Sequence, residues 1–169
     1  MGARGEGGRL GIDNASWISA VTAGWLAGIV MGHVFHFGLD IMPTIGALYG
    51  VQNVVGGWLA HLFHSTLFAL AFAGLVYLEP FREFAETYRG GLILGSGYGV
   101  ALWAGGAAIL MPIWLRSAGI TAPAPPDLAV GALLAHLLYG AVLGTAYPAV
   151  LDQLRTAESE STERSPGQA

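Results

Sequence analysis

Residues 54–78 read VVGGWLAHLFHSTLFALAFAGLVYL and contain no aspartate, glutamate, lysine or arginine. A helix rises about 1.5 Å per residue, so a run of this length exceeds a bilayer core of about 30 Å. No polar face offsets the apolar residues, which separates this stretch from the amphipathic helices of a soluble bundle. Three further stretches share its character: 16–38, 91–115 and 129–151. The chain of 169 residues is 54% hydrophobic and 11% charged, where soluble domains carry about 25% charged residues. The sequence therefore predicts an all-α, integral membrane four-helix bundle over residues 16–151, built from two tandem helical hairpins. A tail at 1–15 precedes it. The polar segment 152–169 is predicted to be a disordered tail.

Charge sets the expected topology. All seven basic residues are arginines. Arg4, Arg9, Arg82, Arg89, Arg155 and Arg164 fall in the N-terminus, the 79–90 loop and the C-terminal tail, and Arg116 alone lies on the other side. This bias predicts a multi-pass protein of the cell membrane with both termini cytoplasmic. The first apolar stretch is too long for the core of a cleaved signal and reads as a retained span. Cysteine and lysine are both absent, which excludes thiolate ligands, a thiol nucleophile and Schiff-base chemistry. Basic clusters are missing, so the lipid bilayer is the expected partner and nucleic acid is not.

The punctuation supports these spans. Asp13, Asn14 or Ser16 can cap the first helix, Asn53 the second and Pro126-Asp127 the fourth. Met42-Pro43 and Met111-Pro112 lie near the outer ends of the odd-numbered helices, where proline ends or kinks a helix. The connections 39–53 and 116–128 are apolar, and they are expected at the interface or folded partly over the bundle. An internal repeat matches Gly56-Gly57-Trp58-Leu59-Ala60-His61-Leu62 to Gly131-Ala132-Leu133-Leu134-Ala135-His136-Leu137, which implies two hairpins in one orientation.

All five histidines lie in or at the edges of these apolar stretches: His33, His36, His61, His64 and His136. Ionisable residues at such depth are functional candidates, because an unpartnered polar group in hydrocarbon is costly. Residues four apart stack on one helix face. His36 continues the row Gly24, Gly28, Gly32; His61 follows Gly57 and precedes Ser65; His136 precedes Gly140 and Gly144. Gly91, Gly95, Gly99 and Trp103 form a matching row in the third stretch. Small residues on such rows let helices approach closely in lipid, so His36, His61 and His136 are expected to face other helices in the outer half of the membrane.

Neutral imidazoles ligate haem iron, copper and zinc. His61 and His136 are the candidate axial ligands for haem b, related by the repeat and embedded in Gly and Ala. For a transition metal the candidates are His36, His61, His64 and His136, with His33 beside them and Asp40 as orienter or proton acceptor. Either site would serve electron transfer or metal handling. The other reading is a membrane scaffold, a partner subunit or a small transporter acting as a homo-oligomer, with histidines that only hydrogen-bond to neighbouring helices.

Several stretches resemble a group of small four-span membrane proteins of halophilic archaea. They are Met42-Pro43 with Ala47-Leu48-Tyr49-Gly50, Gly57 through Ser65, Met111-Pro112-Ile113-Trp114-Leu115, and Leu134 through Gly140. More loosely the chain is similar to the YagU-type inner-membrane proteins. The resemblance implies a membrane-embedded architecture over about residues 16–151 and carries no activity. Members of the archaeal group are often labelled histidine kinase, but this chain has no nucleotide-binding glycine box and holds its histidines in apolar segments.

Overall fold

The computed structural model describes residues 14–79 and 81–164. The described residues are helical apart from short connections. Helix α1 (Asn14–His33) runs on into a π-helical segment, Val34–Gly38, followed by the short α2 (Met42–Ala47). Helix α3 (Val54–Tyr77) is joined by α4 (Phe81–Ala85) to α5 (Tyr88–Leu102). A second π-helical segment, Trp103–Leu110, links α5 to α6 (Met111–Ser117), and α7 (Val130–Arg164) completes the fold. Four of these units are long and apolar enough to cross a membrane: Asn14–Gly38, Val54–Tyr77, Tyr88–Ser117 and Val130–Ser161. We refer to them as the first to fourth spans.

Local chemistry explains several boundaries. The Asn53 side chain accepts a hydrogen bond from the Gly56 N–H at 2.8 Å and caps α3. Thr87 caps α5 in the same way through Gly90 at 3.0 Å. Helix α7 begins at Val130, beyond the Pro126-Asp127 pair, and the Asp127 N–H donates to the Ala108 carbonyl at 2.8 Å. That carbonyl lies four residues before Pro112, which has no N–H to offer it. Asp13 lies outside the described residues, as does most of the tail at 1–15. Helix α7 continues to Arg164, so residues 152–164 are helical where the sequence suggests disorder. Asp152–Arg164 is rich in residues of good helix propensity, and Arg155 is anchored to Glu86 by an ion pair at 3.1 Å.

Glycines determine how the spans meet. The first span packs against the second and the fourth, and the fourth packs against the third. Gly24, Gly28 and Gly32 face Ala69, Ser65 and Trp58 of the second span, with no room for a Cβ at any of them. Gly91, Gly95 and Gly99 lie against the carbonyls of Gly144, Gly140 and His136. Pro148 removes the N–H that would bond the Gly144 carbonyl, and that carbonyl rests on Gly91. Such backbone contacts hold helices together in lipid by dispersion and weak Cα–H···O bonds.

The second and third spans meet differently. Towards the termini they are joined by the Tyr98 hydroxyl, which donates to the Phe68 carbonyl at 2.8 Å, and by the Phe72–Tyr98 ring contact. Beyond Gly99 the third span passes into its π-helical segment, where a Cβ on Gly105 or Gly106 would meet nothing within 4 Å. The bundle opens there.

Candidate functional site

A cavity of about 490 Å³ fills this opening, within the range of small-molecule sites, about 300–1,000 Å³. All four spans contribute to it, with Phe35 from the first, His61, His64 and Ser65 from the second, Gly106 and Leu110 from the third, and His136 and Tyr139 from the fourth. At the end away from the termini, Thr44, Tyr49, Thr121 and Asp127 of the connecting segments line its mouth. Both π-helical segments reach its wall, a placement typical of π-bulges at functional sites. Most of the remaining lining is apolar. Two lining residues, Leu67 and Leu110, are 46% and 57% exposed on the second and third spans.

The structure brings three of the five histidines to this cavity. His61 is only 5% exposed and donates through Nε2 to the Gly28 carbonyl at 2.8 Å. His136, 9% exposed, donates through Nδ1 to the Ala132 carbonyl in its own helix at 2.8 Å. His64 Nε2 shares a hydrogen bond with the Tyr49 hydroxyl at 2.7 Å. The Phe35 ring packs on both buried imidazoles, with centroids 5.3 Å from His61 and 6.1 Å from His136.

The other candidates do not line the cavity. His36 Nδ1 accepts a hydrogen bond from the Trp58 indole at 3.1 Å, and its ring stacks on Phe37 at 4.3 Å. His33 is exposed and donates through Nδ1 to the Ile29 carbonyl at 2.7 Å. Asp40 is exposed, with a φ of 52°, where it ends the first span; aspartate tolerates this left-handed conformation better than most residues. The expectation that His36 converges with His61 and His136 is not met: His36 does not line the cavity, and Trp58 lies between it and the site, donating to His36 and packing its ring 6.2 Å from that of His61. Among the described residues no three His, Asp or Glu side chains are grouped as a metal ion would need.

Sequence reading did not place Phe35, Tyr49, Gly106 or Asp127 at a site, although it named Asp127 as a helix cap. Helical spacing alone carries no sign of a π turn, and the two connecting segments have no periodicity to interpret. The Met-Pro pairs were the available signal, since each proline lies just beyond a π-helical segment.

Comparison with family models, with curated proteins and with solved structures returns no match. The class supported here is an all-helical protein with four spans suited to a bilayer.

Proposed function

We propose that this chain is a multi-pass cell-membrane protein that binds an amphipathic small molecule inside its bundle. The observation that carries this reading is the 490 Å³ cavity, apolar over most of its wall and furnished with three imidazoles and Tyr139. Apolar walls with few convergent polar groups are the signature of small-molecule sites. Exposed Leu67 and Leu110 on its wall support access from the lipid side between the second and third spans. The arginine bias supports cytoplasmic termini, and the Arg155–Glu86 pair agrees with the 79–90 loop and the C-terminal segment sharing a side. The resemblance to small archaeal four-span proteins is compatible with this location.

A binding role accounts for the geometry better than a haem or metal centre. Among the described residues no three His, Asp or Glu side chains are grouped to hold a metal ion, and the Phe35 ring occupies space beside both candidate axial ligands. The test is to purify the protein from its native membranes in mild detergent, then analyse an organic extract by mass spectrometry alongside metal and haem content. A single amphipathic compound at near-stoichiometric amount, lost in Gly106→Leu, supports the reading. Stoichiometric haem or metal in its place overturns it.

A further inference from the structure

We propose that the bound molecule presents a hydroxyl hydrogen-bond donor to His61 and His136. This deepens the binding role above and rests on it. A backbone carbonyl can only accept, so the nitrogen facing it must carry the proton. In His61 that nitrogen is Nε2, facing Gly28, and in His136 it is Nδ1, facing Ala132. A neutral imidazole has one donor and one acceptor. Nδ1 of His61 and Nε2 of His136 are therefore lone-pair acceptors, and neither has a hydrogen-bond partner among the described residues.

Hydroxyls of Thr44, Ser65 and Thr121 also line the cavity and can donate or accept, so the two imidazole lone pairs are what sets the requirement. Tyr139 reaches the same cavity, but its proton is committed to the Ser65 carbonyl at 3.0 Å. Asp127 at the mouth adds a carboxylate, again an acceptor. A ligand whose polar end only accepts, such as a ketone, an ester, an ether or an oxidised quinone, leaves both imidazole lone pairs unpaired in an apolar setting. A phenol, a quinol or a long-chain alcohol satisfies at least one of them. Sites built around such a hydrogen bond discriminate strongly against analogues that lack the proton. The apolar body of the ligand then lies along Phe35, Leu67 and Leu110, towards the lipid.

A matched pair of probes isolates that proton: para-dodecylphenol and its methyl ether. Equilibrium binding of each radiolabelled probe is measured on the full chain in lipid nanodiscs, with empty nanodiscs correcting for partition. The expected result is phenol binding at least about tenfold tighter than the ether, equivalent to about 1.4 kcal/mol. The double variant His61→Phe/His136→Phe should bring the two affinities within about twofold. His136→Leu alone, which removes only a bond within one helix, should narrow the gap if the double variant does not fold. Equal saturable binding of both probes to the parent overturns the hydroxyl inference and leaves the cavity as a binding site. Saturable binding of neither probe overturns the binding role as well. A phenol preference that survives in the histidine variants overturns the assignment to these two residues.

Discussion

The His61 imidazole bonds the Gly28 carbonyl across two spans at 2.8 Å, directly beside the place where Gly28 lies against Ser65. The close approach allowed by glycine and the reach of the imidazole depend on each other. The Gly28 carbonyl already accepts within its own helix, so this bond uses its second lone pair. His136 makes no such crossing, since its partner Ala132 lies one turn back in the same helix.

This contrast predicts different costs. His61→Leu removes an interhelical hydrogen bond, worth about 0.6 kcal/mol on average and up to about 1.7 in membrane bundles. His136→Leu should cost less, because no contact between helices is lost. Reversible unfolding in mixed micelles measures both; a larger loss for His136→Leu would contradict the assignment of partners.

Tyr139 supplies a second crossing bond, to the Ser65 carbonyl of the second span, from a side chain that is nearly fully buried. Tyr139→Phe keeps the ring and should cost about 1 kcal/mol. An unchanged unfolding midpoint would show that the hydroxyl contributes nothing there.

The glycines divide into two kinds. At Gly140 an added Cβ would collide with the Gly95 carbonyl, whereas at Gly106 it would enter open space. Gly140→Ala should therefore destabilise the bundle by about 1–3 kcal/mol through overpacking. Gly106→Ala should be neutral, or stabilising by about 0.5–1 kcal/mol through reduced freedom of the unfolded chain. The same unfolding assay decides, and equal effects at the two positions would remove the distinction between packing glycines and cavity glycines.

Tyr49 lies outside the spans, and partial burial raises its phenol above the ordinary tyrosine value. The folded state therefore holds this proton at pH values where the unfolded chain begins to lose it. Its contribution is complete below about pH 10 and lost as pH rises through the elevated folded value. Ultraviolet titration of the parent minus Tyr49→Phe should show one phenol ionising later than free tyrosine; a normal midpoint would show that Tyr49 is too open to water for its packing to matter.

Much of the architecture was legible because hydrocarbon imposes simple demands. A charge-free run such as 54–78 has few soluble uses, and glycine rows such as Gly91-Gly95-Gly99 announce close helix contact. The cap at Asn53 followed from side-chain chemistry alone. The site was only half legible. Repeat and spacing drew attention to His61 and His136, which line the cavity, whereas His36 and Asp40, in and just after the π turn at Val34–Gly38, do not. The cavity itself lies where the second and third spans part beyond Gly99, and sequence patterns encode contacts far better than gaps. The helical continuation past residue 151 was concealed by polarity, which suggests disorder until Arg155 finds Glu86.

The central claim is that the space beside His61, His64 and His136 binds an amphipathic ligand. Saturation binding of a fluorescent apolar amine, 1-aminoanthracene, to the purified chain in nanodiscs tests it most directly, with Gly106→Leu as the filled-cavity control. The account predicts saturable binding at one site per chain, abolished in Gly106→Leu while that variant unfolds at the parental midpoint. Uptake that never saturates, or that equals the uptake of empty nanodiscs for both proteins, would contradict it.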